Sequence, residues 1–270
     1  MENKFTNYFN FDDIIVNNSN KKNIYHFLDG DTEEFFKKNL ITQPYDWYYR
    51  TKEITYTINS HGYRTKEFNE IDWKESIVIF GCSHVFGIGL DDDDTLSSNI
   101  SKITGRYVVN LGFPGGSNYI SYYNSIMMQK KYGNPYAVIF MWSDSNRYTY
   151  FSKEKIEHLG TWSYNIFMDL KNKKYSDFDK QLSIFYNTLV DDPSHNKISH
   201  YFLLESVRNF WKDKTIFKDY SYYPHIPDFP IKIENFSSYY GHDFARDLGH
   251  PGRNTNKIIS KIITEKTNEI

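Results

Sequence analysis

Residues 77–89 read IVIFGCSHVFGIG. Four consecutive apolar residues, Ile77 to Phe80, run directly into Gly81, Cys82, Ser83 and His84. An unbroken apolar run of this length fits a strand covered on both faces, as in a parallel sheet. The small polar cluster is then the turn out of that strand. Two more stretches repeat the arrangement. YVVNLG (107–112) leads into FPGGSN, and YAVIFMW (136–142) leads into SDSNR.

Between these runs the spacing becomes helical. Leu96, Ile100 and Ile103 recur on one face and stop at Gly105. Ile120, Tyr123 and Met127 follow Ser117, placed as a cap, and stop at Gly133. Strand, helix, strand, helix, strand is the order of a doubly wound α/β sheet. Beyond residue 150, Phe178, Leu182, Phe185 and Leu189 mark one amphipathic helix, and Leu203, Val207, Phe210 and Trp211 another. Ile258, Ile259, Ile262 and Ile263 mark the last. KTIFKDY (214–220) offers a further strand and EITYTIN (53–59) an earlier one, with a turn at HGYR (61–64). SYYPHIPDFPIKI (221–233) carries three prolines and reads as loop.

A chain of 270 residues buries enough surface for one large domain, or a domain with an appendage. Aromatic residues make up 19% of it, so Tyr and Phe must fill much of the core. A formal charge of −2 provides no basic field for nucleic acid or an acidic membrane. The single cysteine, Cys82, excludes an internal disulfide framework. MENKFTNYFNFDD lacks the basic start and apolar run of a secretion signal, and no apolar run approaches the roughly 18 residues of a membrane helix. A cytoplasmic location is the expectation.

Open parallel sheets carry their sites at the carboxyl ends of the strands. GCSH, GFPGGSN and SDSNR all fall there, and DLGHPG (247–252) stands just before the last helix. Acyl transfer to a hydroxyl needs a base within hydrogen-bond reach, an orienter for that base, and donors for the developing oxyanion. Ser83 offers the hydroxyl at a strand-to-helix junction. Gly115 and Gly116 can expose amides with no side chain in the way. Asp247 and His250, three apart, can meet in a turn.

These blocks resemble those of the SGNH, or GDSL-like, hydrolase superfamily. GCS, ending at Ser83, is similar to its first block; NLGFPGG, with Gly115, to its second; DLGHPG to its last. The resemblance spans about residues 76–150 and 243–265, and NSHGYR (59–64) is similar to a segment that precedes the first strand in some branches. It implies a three-layer α/β/α sandwich around a mainly parallel, flavodoxin-like sheet of about five strands. Residues 1–75 become an N-terminal extension packed on the core. Residues 76–270 become the hydrolase-like domain, with a helical and aromatic insertion at about 151–240. It further implies Ser83 as nucleophile, His250 as base, Asp247 as its orienter, and the amides of Ser83 and Gly115 as oxyanion donors. No metal or organic cofactor is called for. The implied reaction is hydrolysis of a small-molecule or carbohydrate ester, an O-acetyl group included, through an acyl-serine, with no nucleic-acid or membrane partner.

The chain departs from that pattern twice. Cys82 stands where an aspartate usually precedes the serine. WSDSNR stands where G-x-N-D is usual, which puts Asp144 nearest the asparagine position, and an ionised carboxylate cannot donate to an oxyanion. Asn146 is the replacement donor, with Asn118 and the Ser143 hydroxyl as alternatives. Other readings stay open. Cys82 is a rival nucleophile or buried filler, and His84 a site group or a polar first-turn residue. DDDD (91–94) is a cation site, or a solvated loop into a helix capped by Asp94 or Thr95. His242, Asp243, Asp247 and His250 would make a metal cluster. Arg147 steadies an anionic group at the rim or pairs with the acidic loop. WSYNIF (162–167) and SYYPHIP (221–227) are candidates for a lid or substrate wall. Two rival functions accompany them: a silent SGNH-like binding or assembly module, for which Asp144 argues, and an O-acyltransferase.

Overall fold

A computed structural model describes residues 22–151, 156–172, 174–223, 233–239 and 241–265. The lead-in contributes β1 (Asn23–Tyr25), α1 (Glu33–Thr42) and β2 (Tyr56–Ile58), with β1 and β2 paired antiparallel. Then come β3 (Ile77–Gly81), α2 (Ser83–Phe86), α3 (Leu96–Thr104), β4 (Val108–Gly112), α4 (Asn118–Tyr132) and β5 (Ala137–Trp142). β6 (Tyr148–Phe151) and β7 (Ile156–Leu159) form an antiparallel pair, followed by α5 (Ser163–Met168), α6 (Asp177–Phe185) and α7 (Pro193–Trp211). β8 (Ile216–Ser221), β9 (Glu234–Asn235) and α8 (Arg253–Glu265) complete the order.

Five of these strands make one parallel sheet in the order β4-β3-β5-β8-β9. Numbered within the sheet, that is 2-1-3-4-5, the flavodoxin order. Successive side chains of a strand point to opposite faces, so a sheet covered on both sides favours near-continuous apolar runs, with Asn110 of β4 a buried exception held by the Val85 carbonyl at 2.8 Å. On one face Ile77, Ile79, Ile139 and Met141 pack against Leu96 and Ile100 of α3 and Ile259 and Ile263 of α8. On the other, Val78, Phe80, Val138 and Phe140 meet Ile120 and Met128 of α4 and Leu204 and Trp211 of α7. The result is the three-layer α/β/α sandwich that the apolar runs require. Each such fully buried side chain stabilises the fold by roughly 1.5–3 kcal/mol.

Local signals behave as expected at α3, where the Thr95 hydroxyl accepts from the Ser98 amide at 3.2 Å and Gly105 closes the helix at φ +72°. Three expectations need correction. Ser117 precedes α4 without capping it; its hydroxyl pairs instead with that of Thr149 at 2.7 Å, tying α4 to β6. Leu189 lies beyond α6 in a π turn, Tyr186–Val190, whose wider register rotates it out to 63% exposure. The acidic run is solvated only in part: Asp93 keeps a side chain 84% exposed, whereas Asp91 and Asp92 are tied to the lead-in. Asp92 receives Nε of Arg64 at 2.9 Å, and the same guanidinium donates to the carbonyls of Gly87 (2.6 Å), Thr55 (3.0 Å) and Leu90 (3.1 Å). Asp91 accepts from the Thr55 amide at 3.0 Å and pairs with Lys52. A buried arginine and two aspartates therefore clamp the lead-in to the sheet, while Ile54, Tyr56 and Ile58 pack on Phe86 and Ile88. Most of the proline-rich stretch, residues 224–232, lies outside the described residues. Among the described residues no helix is long and apolar enough to cross a membrane.

Candidate active site

The strand order reverses between β3 and β5, the place where open α/β sheets leave a crevice beyond the strand ends. Ser83 stands there. β3 ends at Gly81, and the chain turns through Cys82 into the single turn of α2. Two glycines make that turn possible. Gly81 and Gly112 pair in register across β3 and β4, and α2 lies directly over them. A Cβ on Gly112 would come within 2.3 Å of the Phe86 nitrogen, so only glycine allows the approach. Ser83 becomes the first residue of α2 and is 7% exposed.

The loop before α8 supplies the base. It closes on itself through Ala245 N–H to the His250 carbonyl and Gly252 N–H to the Asp243 carbonyl, both 2.9 Å, with Leu248 at φ 59°. His250 Nε2 lies 2.9 Å from Ser83 Oγ, and its Nδ1 lies 2.5 Å from Asp247 Oδ2. A second contact steadies the pair, His250 N–H donating to Asp247 Oδ1 at 3.3 Å. Since a carboxylate only accepts, Nδ1 carries the proton and Nε2 faces the serine hydroxyl with its lone pair. Residues 167 positions apart thus meet.

This loop is held from behind by the lead-in. The Arg246 guanidinium is buried against Asp31, with Nε at 3.1 Å and Nη2 at 2.7 Å from its carboxylate. Asp31 also accepts from the Tyr56 hydroxyl, which itself accepts from the Gly89 amide at 2.8 Å. The Arg246 amide donates to the Gly89 carbonyl at 3.0 Å. Asp31, Tyr56 and Arg246 carry no local sequence signal that could have announced this contact. Asp243, a candidate for a metal cluster, is spent elsewhere: its carboxylate accepts from the amides of Asn254 (2.9 Å) and Thr255 (2.8 Å) at the start of α8. Among the described residues no three such side chains gather as a metal site would require.

Of the expected oxyanion donors, Gly115 sits at φ +72° in the turn Phe113–Gly116, closed by the Gly116 amide on the Phe113 carbonyl at 2.9 Å. Proline followed by a positive-φ glycine is the type II pattern, and it spends the Gly116 amide. The amides of Ser83 and Gly115 meet no acceptor among the described residues. Asn118 and Ser143 are locked together. Asn118 Oδ1 accepts from the Ser143 amide (2.8 Å) and hydroxyl (3.0 Å), while its Nδ2 donates to the Ser143 carbonyl (3.0 Å). The second hydrogen on Asn118 Nδ2 faces His200 Nδ1 at 3.5 Å, so both side chains are engaged away from Ser83. Asn146 is held through its backbone, its amide donating to Asp144 at 3.4 Å and its carbonyl accepting from the Tyr186 hydroxyl at 2.9 Å. No hydrogen bond joins it to Ser83 or Gly115 among the described residues.

Three rings line the same corner. His84 stands edge-on to His250 at 5.3 Å and to Tyr222 at 4.7 Å, and stacks on Tyr223 at 5.7 Å. Burial holds its pKa well below the ordinary value, with His250 and Arg147 adding to the effect, so this ring stays neutral. Cys82 is 2% exposed, and the base faces Ser83 instead of the thiol. Burial, with help from Arg147, brings His158 down to about 4. Tyr222 and Tyr223 belong to SYYPHIP, the stretch read as a candidate wall, whereas sequence reasoning passed over His158 because nothing about a lone ring in an aromatic-rich segment marks it.

No protein-family model and no curated protein matches the chain. Solved structures do match. One, from Desulfitobacterium hafniense, is described as a lipolytic protein of the G-D-S-L family; it is 12% identical, with 71% of this chain and 99% of that one covered, at a TM-score of 0.33. A second is described as a GDSL-like lipase from Bacteroides ovatus: 12% identical, 74% of this chain but only 55% of that one covered, TM-score 0.37. A third is an acetyl xylan esterase from the rumen bacterium Butyrivibrio proteoclasticus, 10% identical, covering 74% and 66%, TM-score 0.36. The first two carry the G-D-S-L description that the motifs led one to expect. Likeness at this level transfers no activity.

Proposed function

We propose that the chain is a serine-dependent esterase acting on a small-molecule or carbohydrate ester. The observation that supports it is the unbroken line Asp247–His250–Ser83, with spacings of 2.5 and 2.9 Å. Ser83 Oγ attacks the ester carbonyl carbon as its proton passes to His250 Nε2. Asp247 holds the imidazolium that forms. The carbonyl oxygen, now an oxyanion, takes hydrogen bonds from the amides of Ser83 and Gly115, each donor being worth on the order of 3 kcal/mol in the transition state. Collapse breaks the C–O bond, and His250 returns the proton to the departing alcohol. Water then attacks the acyl-serine with His250 as base, releasing the acid and free Ser83.

Hydrolysis of p-nitrophenyl acetate by the purified chain tests this. Turnover that falls at least about a thousandfold in Ser83→Ala supports the reading. Turnover that survives that change, or none in the wild type, refutes it. Acetyl transfer to an added sugar in preference to water would make the chain an acyltransferase.

A further inference from the structure

Two backbone amides face the developing charge in the reading above, and of the side-chain donors that could join them Asn118 and Ser143 are engaged, with each other and, for the second Asn118 N–H, with His200. Arg147 lies beside that gap. On one side its Nη2 donates to the Tyr223 hydroxyl at 3.1 Å, and Tyr223 stacks on His84, which stands against His250. On the other side its guanidinium lies 5.5 Å from the Trp162 ring. Trp162 Nε1 donates to the His158 carbonyl at 3.2 Å, and His158 lies 3.8 Å from where a Cβ on Gly115 would sit. Arg147 therefore stands between the rings packed on the base and those beside the Gly115 turn. Its Nη1 is buried and has no hydrogen-bond partner among the described residues, the sulfur of Cys82 nearby being a weak acceptor. A buried charged donor left in that state is destabilising unless something arrives to accept from it.

We propose that Arg147 Nη1 is the third donor to the oxyanion, in the role expected of Asn146. The assignment rests on the serine-esterase reading. No bond to Arg147 forms or breaks: the N–H is shared with the carbonyl oxygen while that oxygen carries charge, and the contact weakens when the carbonyl re-forms. A donor used mainly in the transition state raises kcat and leaves KM nearly unchanged.

The test is steady-state hydrolysis of p-nitrophenyl acetate, a neutral ester, by the full chain and its Arg147→Gln and Arg147→Lys variants. Folding is checked by thermal melting. The expected result is a kcat loss of about 100- to 1,000-fold in Arg147→Gln with KM within about threefold, and a smaller loss in Arg147→Lys, which keeps the charge without the planar fork. If Arg147→Gln does not fold, the kcat-to-KM split of Arg147→Lys gives the same reading. Unchanged kcat in a folded variant overturns the proposal, as does a rise in KM alone. A large kcat loss in Asn146→Ala with little in Arg147→Gln would return the role to Asn146. Each of these outcomes leaves the esterase reading standing, whereas absence of Ser83-dependent turnover in the wild type removes both.

Discussion

Replacing Asp31 by asparagine changes a charge and almost no volume, at a position 0% exposed. Its partner Arg246 has a side chain 3% exposed, with Nη2 also bound to the His26 carbonyl at 2.5 Å and the guanidinium 4.3 Å from the Phe27 ring. Asparagine keeps one acceptor oxygen but turns an amide toward an arginine that only donates. The guanidinium stays buried without its counter-charge. Removing one partner of a buried pair costs about 3–5 kcal/mol. With a urea m-value near 3 kcal/mol/M, that lowers the unfolding midpoint by roughly 1–1.7 M. Arg246→Met alone should cost a comparable amount, because it strands Asp31 instead. Asp31→Asn combined with Arg246→Met strands neither charge, so the pair should cost clearly less than the two single losses summed. Urea titrations followed by circular dichroism measure all of these. A loss below about 1 kcal/mol in Asp31→Asn, or strict additivity in the double variant, would refute the reasoning. Arg246 adjoins Asp247, so folded Asp31→Asn should also hydrolyse p-nitrophenyl acetate more slowly than the wild type.

Gly89 sits at φ +74°, and a Cβ there would lie 2.7 Å from that of Ala245 and 2.8 Å from Asp247 Oδ1. Gly89→Ala should destabilise by about 1–3 kcal/mol and, by displacing Asp247, lower kcat on the same ester; wild-type midpoint and rate together would contradict the close approach. His158 and His200 both titrate at about 4 when folded, burial being the first cause in each, and His84 is held low as well. All three bind a proton more readily unfolded. Their contribution to stability is therefore full above about pH 6.5, declines as pH falls toward 4, and is lost below the folded pKa, by up to about 3 kcal/mol for each ring at 4. Urea midpoints measured from pH 7 to 4.5 should fall, and His200→Gln should flatten the slope; a level profile would contradict it.

The central sheet was legible because burial on both faces leaves a run with no polar break, as in IVIFG and AVIFMW. Asp247 and His250 were legible because DLGHPG resembles the last GDSL-like block and because a carboxylate and an imidazole three residues apart can meet in a turn. What lay hidden depends on residues far apart in the chain. Asp31 and Arg246 are separated by 215 positions, and neither differs in sequence from an ordinary surface charge. The acidic run looked solvated because its partner, Arg64, belongs to a different element. Ser117 had the right type and place for a cap, but its hydroxyl found Thr149, a tertiary partner that helix spacing cannot reveal. Asn118 and Ser143 were plausible donors until their mutual contacts were known.

Cys82 is the sole thiol of the chain, sealed at the junction of β3 and α2 one residue before Ser83. A colourimetric disulfide reagent can therefore reach sulfur only when this junction breathes, and no other cysteine contributes background. Its modification rate, divided by that of an unprotected thiol, reads the opening equilibrium of one turn. A hundredfold protection corresponds to about 2.7 kcal/mol. The protein thus carries a built-in gauge of how firmly its nucleophile corner stays shut, separate from the stability of the sheet beneath it.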